Sequence, residues 1–467
     1  MKYIFVLVII MSAREIKKNR LNFNIIFCLS LVYSSLIHGS EVKVLSLPEA
    51  IDIAMVQNPA VQTSSIQRVV DKFSLKLSYN NFAPQYRFVS TINHSDKNDL
   101  TYAGSPSIDL KTQSGVGFGV NYHGVSSDGD FSQQADIKIT APLMRGSGFE
   151  INRISLDNAI DQEQINKLAY RDSVATVINN VQSQYFKVIS DQKQREALKM
   201  SLHRSEDTLA EYKIKVAAGD MPSANLAQQQ SKIVSDKLQL ESNAYSFKSD
   251  YRDLMLLLGM DPNTKLRVEN SIDIETLRIP TLQEAIVLAK EGNYTYQQQL
   301  INMRSIKRSL LKAQDDNRAQ LDLVGGVSTD GDKSLGLTLT VPIDDMSLEY
   351  SIVAATSSLK QADINLKQAE SDLVVAASNY VNNLTTQLQQ IKLAKLNIKY
   401  AKQNYENARL SNLHGKTSSY EVVSQMQAYL QSQISLIDYQ INYYTSYAEF
   451  NKFLGKTLDR WKINLTL

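Results

Sequence analysis

The chain has 467 residues, a formal net charge of +2 and a single cysteine. Its 50 Lys+Arg against 48 Asp+Glu leave no basic footprint for nucleic acid. One cysteine excludes a disulfide framework and a cysteine-built metal centre.

The N-terminus has the pattern of an export signal, assigned to residues 1–40. Lys17, Lys18 and Arg20 precede an apolar run at 24–36, and the small residues Gly39 and Ser40 follow it. A start at Met11, past the unusual apolar run 3–11, leaves a signal of ordinary length. Cys28 lies behind Phe27, where a lipidation motif needs a small residue, so no lipid anchor is expected. Cleavage near Ser40 leaves 45 basic against 47 acidic residues, net −2, and no thiol. No later stretch supplies about 20 consecutive apolar residues, so no transmembrane helix is expected.

Residues 41–265 read as a first repeat. Leu47-Pro48-Glu49-Ala50-Ile51 opens an amphipathic helix with Pro48 in its first turn, interrupted near Pro59. After Pro84 the period changes from helical to two. Tyr86, Phe88 and Ile92 alternate with Arg87, Thr91 and Asn93. Val116, Phe118, Val120 and Tyr122 alternate with Gly115, Gly117, Gly119 and Asn121, and Ala135, Ile137, Ile139 and Ala141 with Asp136, Lys138 and Thr140. A chain that enters and leaves a sheet as helix on one side needs an even number of crossings. A fourth short run, 107–111, is a candidate to complete an extra external hairpin, and the sequence leaves the number open. Thr140-Ala141-Pro142-Leu143 marks the swivel into helix, because proline has no N–H for the ladder. Residues 151–218 then contain neither Gly nor Pro and end at Gly219, followed by Asp220 and Pro222. A second helical run ends at Gly259, before Asp261-Pro262.

A polar linker, 266–280, leads to the second repeat, 281–467. Leu282-Gln283-Glu284-Ala285-Ile286 repeats the opening, and Asn293 stands where Asn58 stood. Leu321, Leu323 and Val327 face away from Asp322, Gly326 and Ser328; Leu335, Leu337, Leu339 and Val341 oppose Ser334, Gly336, Thr338 and Thr340. Asp330-Gly331 between them is a hairpin signal. Thr340-Val341-Pro342-Ile343 repeats the swivel, and 343–414 again lacks Gly and Pro. Ile352, Leu359, Leu366, Leu373 and Tyr380 recur every seventh residue, with Ala355, Ala362, Ala369 and Ala376 three behind the first four. This a/d seam is the pattern of closely packed coiled-coil helices. It resumes from Ile391 after an eleven-residue step, a stutter that unwinds a supercoil locally. A helix of this length spans roughly 100 Å. Gly415 and Gly455 end the two runs 40 residues apart, as Gly219 and Gly259 do, and Gln425 and Tyr447 match Gln229 and Tyr251 at the same offset. The chain is a duplicated long helical hairpin.

The strands admit two readings: a small antiparallel sheet on a soluble protein, or part of a transmembrane barrel with apolar faces outward. Open edges are forbidden in lipid, so the second reading requires copies of the chain to close the barrel together. His94, His123, His203 and His414 show no paired metal spacing and read as incidental, and Gly115, Gly117 and Gly119 as sheet geometry. No catalytic constellation or cofactor motif is present, and no enzyme is expected.

The LPEAI-type opening, the turns APLMRGSGFE (141–150) and VPIDDMSLEY (341–350), and the twin glycine-tipped hairpins resemble the TolC-like outer membrane efflux factors. The resemblance implies a mainly α fold with a transmembrane β-barrel part. It implies a homotrimer whose strands close one twelve-stranded barrel in outer membrane lipid, above a helical tunnel in the periplasm. It further implies a periplasmic adaptor and an inner-membrane transporter as partners, docking at the hairpin tips Gly219, Asp220, Gly415 and Thr417. In the family, acidic side chains six residues past the tip glycine line a constriction; the matching positions are Asn225 and Glu421. The family's basic residue two past the second glycine is replaced by Thr417, with Lys416 one earlier. The function implied is a passive duct for efflux or type I secretion; a periplasmic coiled-coil scaffold is the alternative.

Overall fold

A computed structural model describes residues 44–95, 98–127, 130–269 and 277–465. The predicted signal segment with Cys28, and 270–276 of the linker, lie outside the described residues. The chain divides into two units: Met1–Leu45 with Lys265–Arg267, and Ser46–Thr264 with Val268–Leu467. Both repeats belong to the second unit, described below.

In the first repeat, helices α1 (Leu47–Gln57) and α2 (Pro59–Asn80) precede strands β1 (Gln85–Ser95), β2 (Asn98–Lys111), β3 (Gly117–Ser127) and β4 (Asp130–Pro142). One turn, α3 (Phe149–Asn152), leads into α4 (Ile154–Ala217) and α5 (Ala224–Leu257). In the second, α6 (Leu282–Gly292) and α7 (Tyr294–Asp316) precede β5 (Gln320–Ser328) and β6 (Lys333–Thr340). Then come α8 (Met346–Leu413), α9 (Ser419–Phe453) and α10 (Thr457–Arg460).

The same local devices start and tether both copies. Ser46 and Glu49 form a capping box at α1, and Thr281 and Glu284 repeat it at α6. Asn58 caps α2 and donates to Leu257 O at 2.7 Å; Asn293 caps α7 and donates to Phe453 O at 3.1 Å. Each opening segment is thereby tied to the end of the returning helix of its own hairpin. At that contact a Cβ on Gly259 would lie 2.3 Å from Gln57 O, and one on Gly455 2.3 Å from Gly292 O, so neither position admits a side chain. The duplicated tyrosines do parallel work: Tyr251 donates to Thr264 O at 2.7 Å and Tyr447 to Arg278 O at 3.1 Å. Gln229 and Gln425 do not, since the first reaches Ser205 O and the second Glu421.

Helix α4 packs against α1, α2, α5, α7 and α9. Its Val174, Ile178, Val181, Tyr185, Val188 and Ile189 are buried at helical spacing. On α8 the seam is half-buried from Ile352 to Leu366; beyond it Leu373, Ile391, Ala394, Ala401 and Tyr405 are buried, while Tyr380, Ile398 and Ala408 are half-buried. Leu384 is fully buried within the eleven-residue step and fills it together with the half-buried Leu388. Leu373, Ala377, Leu384 and Ile391 form one core with Tyr443, Phe450 and Leu454 of the α9 end and Ala285 and Ala289 of α6. Ala377, rather than its predicted neighbour Ala376, is the small residue at the contact, fully buried where Ala376 is half-buried.

The strands form one antiparallel sheet in the order β1-β2-β3-β4-β5-β6. The first repeat supplies four strands, so the parity difficulty disappears. The weak run 107–111 is the end of a 14-residue strand. Its first half escapes periodicity because Gly104 and Pro106 interrupt the alternation. Pro106 pairs with Phe88 on β1, while the β2–β3 register is unbroken only outside Ser105 and Pro106. The number the sequence left open is thus four in the first repeat. A twelve-stranded barrel shared by three copies allots four strands to each, and this chain has six in one ladder.

Register places one set of residues on each face. Tyr86, Phe88, Ile108, Phe118, Val120, Ile137, Ile139, Leu321, Leu323, Leu337 and Leu339 share the first. The second carries Arg87, Asp109, Asn121, His123, Asp136, Lys138, Thr140, Ser328 and Thr338, with Val89, Val125 and Val324 among them. Its polar groups bond across strands: Arg87–Asp109 at 3.4 Å, Asn121–Asp136 at 3.0 Å, Ser105–His123 at 2.7 Å and Gln134–Ser328 at 3.1 Å. The apolar face is uncovered within one copy, with Leu335 79% and Phe88 70% exposed.

The α8–α9 contact generates a packing prediction. Ala377→Leu should lower unfolding stability by roughly 1–3 kcal/mol through overpacking, whereas the exposed Gln368→Leu should change it little. Denaturant melts of the two variants check this, and equal losses would contradict the assigned seam.

Candidate functional site

The four predicted tip residues lie at two matching helix stops. Gly219 has φ +80° and Gly415 φ +68°, the left-handed conformation that favours glycine. Asp220 N donates to Lys215 O and Gly219 N to Val216 O, at 2.9 and 3.1 Å. Lys416 N donates to Ser411 O and Gly415 N to Asn412 O, at 2.9 and 3.0 Å. Both are Schellman closures, which satisfy the last carbonyls of each long helix. Thr417 O accepts from Asn412 Nδ2 at 2.8 Å, bracing the second turn from within.

The structure brings Asn225 and the start of α9 together. Ser419 Oγ lies 3.0 Å from Asn225 Oδ1 and 2.8 Å from Gln228 Oε1. One hydroxyl proton serves one acceptor, so one of the two amides turns its NH2 toward Ser419. Glu421, two residues on, is half-buried and accepts from Gln425 Nε2 at 2.8 Å. Its N–H donates to the capping Ser418 Oγ at 3.2 Å, which puts the carboxylate in the first turn of α9, where the helix dipole favours it. Lys416 is exposed at the turn.

Sequence reasoning missed the contacts that join the two tips. Arg409 on α8 pairs with Glu211 on α4, both side chains two-thirds buried, and Lys215 Nζ donates to Leu413 O. Arg204 stacks over the Tyr429 ring at 4.9 Å. Behind them Lys232 pairs with Asp236, which also accepts from Ser205 Oγ at 2.7 Å and is fully buried. None of these residues matches a counterpart in the other copy, so the duplication gave no signal.

The swivel prolines sit where predicted. Pro142 ends β4 opposite Asp322, and Pro342 follows β6, three residues before the Asp345 cap of α8. The first swivel is pinned to the end of α7: Gly146 N donates to the buried Asp315 carboxylate at 2.8 Å, and Arg145 Nη2 to Gln320 Oε1.

Farther along the first hairpin, Asp191 of α4 is buried close to Asp250 of α5. Burial first, then the neighbouring Asp250 charge, push the Asp191 carboxyl up to about 7. Asn243 donates to the Asp191 backbone carbonyl at 3.2 Å, and Gln184 to Asp250 Oδ1 at 3.1 Å.

A duplicated chain with a six-stranded antiparallel sheet and two long helical hairpins defines the class. The family model described as "Outer membrane efflux protein" matches residues 103–260 and 305–456, and the chain belongs to that family. The fold recurs in solved structures of low identity. The CusC channel shares 13% identity with a TM-score of 0.68, covering 90% of this chain and 95% of that one. The Campylobacter jejuni CmeC outer membrane channel shares 15% at 0.65, covering 88% and 86%. The open-state Neisseria gonorrhoeae MtrE outer membrane channel shares 13% at 0.65, covering 88% and 89%. No curated protein sequence matches the chain.

The Asp191 pair sets a pH dependence. An acid whose folded pKa is raised binds more protons folded than unfolded, so its contribution to stability falls as pH rises from about 4 to about 7. Asp191→Asn should therefore melt closer to wild type at pH 5 and clearly above it at pH 8. Thermal unfolding at the two pH values checks the sign, and a pH-independent gap would contradict it.

Proposed function

We propose that the protein is a passive export channel of the outer membrane, closed as a homotrimer, with its helical hairpins in the periplasm. The observation that carries this reading is the uncovered apolar sheet face backed by a hydrogen-bonded polar face. On a soluble protein such a face would need a covering layer; in a membrane wall it meets lipid while the polar face lines water. Strands of 8 to 14 residues fit the roughly 9–11 that a tilted strand needs to cross a bilayer. Family membership and the CmeC and MtrE likenesses support the same reading. The hairpin tips, with Gly219, Asp220, Gly415 and Thr417 at their turns, are the surface for a periplasmic adaptor, which links the duct to an energy-supplying inner-membrane transporter. Efflux of small molecules and type I secretion both use such a conduit. The chain itself performs no catalysis and uses no cofactor.

Two measurements test this. The protein should fractionate with outer membranes, resist carbonate extraction and run as a detergent-stable trimer; a folded, soluble monomer would support the scaffold alternative instead. Three copies around one axis also bring three Glu421 carboxylates toward it, near Lys416, while Asn225 supplies no charge. In planar bilayers the channel should prefer cations and be blocked by multivalent cations from the periplasmic side. Glu421→Gln should weaken both effects. Unchanged selectivity and block would remove Glu421 from the constriction and leave the channel standing.

A further inference from the structure

We propose that the closed barrel of this protein has eighteen strands, because β1 of one copy pairs with β6 of the next and the first hairpin belongs to the wall. The inference rests on the trimeric channel reading and departs from the twelve strands that the family resemblance implies. Three copies of a six-stranded sheet make eighteen.

Three observations place β1 and β2 in the wall rather than on a flap above it. First, β1 pairs with β2 along nearly its whole length, from Gln85↔Asp109 to Asn93↔Thr101. Second, the faces continue without a break. Tyr86 and Ile108 extend the apolar row of Val120 and Ile137, while Arg87–Asp109 and Ser105–His123 extend the polar one. A flap has no reason to keep an apolar face in phase with strands two and three ladders away. Third, the β2–β3 turn returns to the helix side of the sheet. Thr112 N donates to Val116 O at 2.8 Å, and Gly148 N, at the start of α3, donates to Ser114 O at 3.1 Å. Strand β2 therefore makes a full crossing.

The two free edges suit a second copy of this chain. An even number of alternating strands makes β1 and β6 antiparallel, so three sheets close head to tail with every ladder antiparallel. Each edge also continues into a helix with an unpartnered apolar stripe. Before β1, α2 exposes Ile66, Val70, Phe73 and Leu77 at helical spacing; after β6, α8 exposes Met346, Tyr350 and Val353. Neighbouring copies that join their sheets bring these two stripes to the same seam. Barrel diameter grows roughly linearly with strand number, so the wall is about one and a half times as wide as a twelve-stranded one. Glycines on the polar face, Gly117, Gly119, Gly326 and Gly336, keep that wider lumen clear. Size selection then falls to the helical tips.

Electron cryo-microscopy of the wild-type protein extracted in detergent should show a trimer with eighteen strands. A trimer with twelve strands and the 85–111 hairpin outside the wall would overturn the inference and leave the channel intact. Failure to form an oligomer would overturn the channel reading and this inference with it. Cysteine pairing gives a second reading, since the chain outside the predicted signal has no cysteine. Thr338→Cys in β6 combined in turn with Arg87→Cys, Val89→Cys, Thr91→Cys or Asn93→Cys in β1 should yield a covalent trimer on oxidation. Crosslinking of Thr338→Cys to Asn121→Cys or His123→Cys in β3 instead would mean that the barrel closes without the first hairpin.

Discussion

Unpaired backbone at a sheet edge is the constraint on which the rest of this structure depends. Edge N–H and C=O groups tolerate water, but in hydrocarbon each unsatisfied group costs several kcal/mol. A sheet with an uncovered apolar face and two open edges is therefore incomplete as a single chain. The exposed stripes of α2 and α8 are the helical counterpart of the same incompleteness. In the proposed trimer, neighbouring copies cover both at one seam.

The helical part solves a different problem, that of holding long helices in register. Duplication supplies the fixed points. Each hairpin turns at a Schellman glycine, each opening helix begins with a capping box, and each asparagine cap reaches back to the returning helix. Between those anchors, lateral register is set by buried charge. Arg68 meets Glu163 at 2.6 Å, and Arg304 meets Asp161 at 2.9 Å. Such pairs contribute little net stability, yet sliding one helix by a turn would strand a buried charge at a cost of about 3–5 kcal/mol. They penalise every register but one.

Polar groups concentrate where the hairpins turn. Ser419 between Asn225 and Gln228, Arg409 against Glu211, and Lys215 on Leu413 O join the two tips by directional bonds rather than by apolar packing. Hydrogen bonds and partly exposed ion pairs exchange with water at modest cost, while a packed core does not. In the proposed channel, a tip region held in this way is suited to opening while the helix bodies stay closed.

Much of this was legible in the amino-acid order. Gly- and Pro-free runs mark α4 and α8, glycines their stops, prolines the swivels, and alternation five of the six strands, because each of these signals is local in the chain. Periodicity does not reach residues whose place depends on a partner. The first half of β2, with Gly104 and Pro106, is a strand because β1 lies beside it. Leu384 fills the stutter because α9 and α6 leave a space there. Glu421 matches a family constriction position by its spacing from Gly415, and the structure also gives it a place in the first turn of α9 beside Gln425. The pair Arg409–Glu211 and the proximity of Asp191 to Asp250 come from helices brought side by side, with no like-charged counterpart in the other repeat. The sequence by itself determined the elements, their duplication and the face each strand presents. Tertiary structure decided the strand number and every charge partner beyond one helical turn, because those depend on distances that only packing sets.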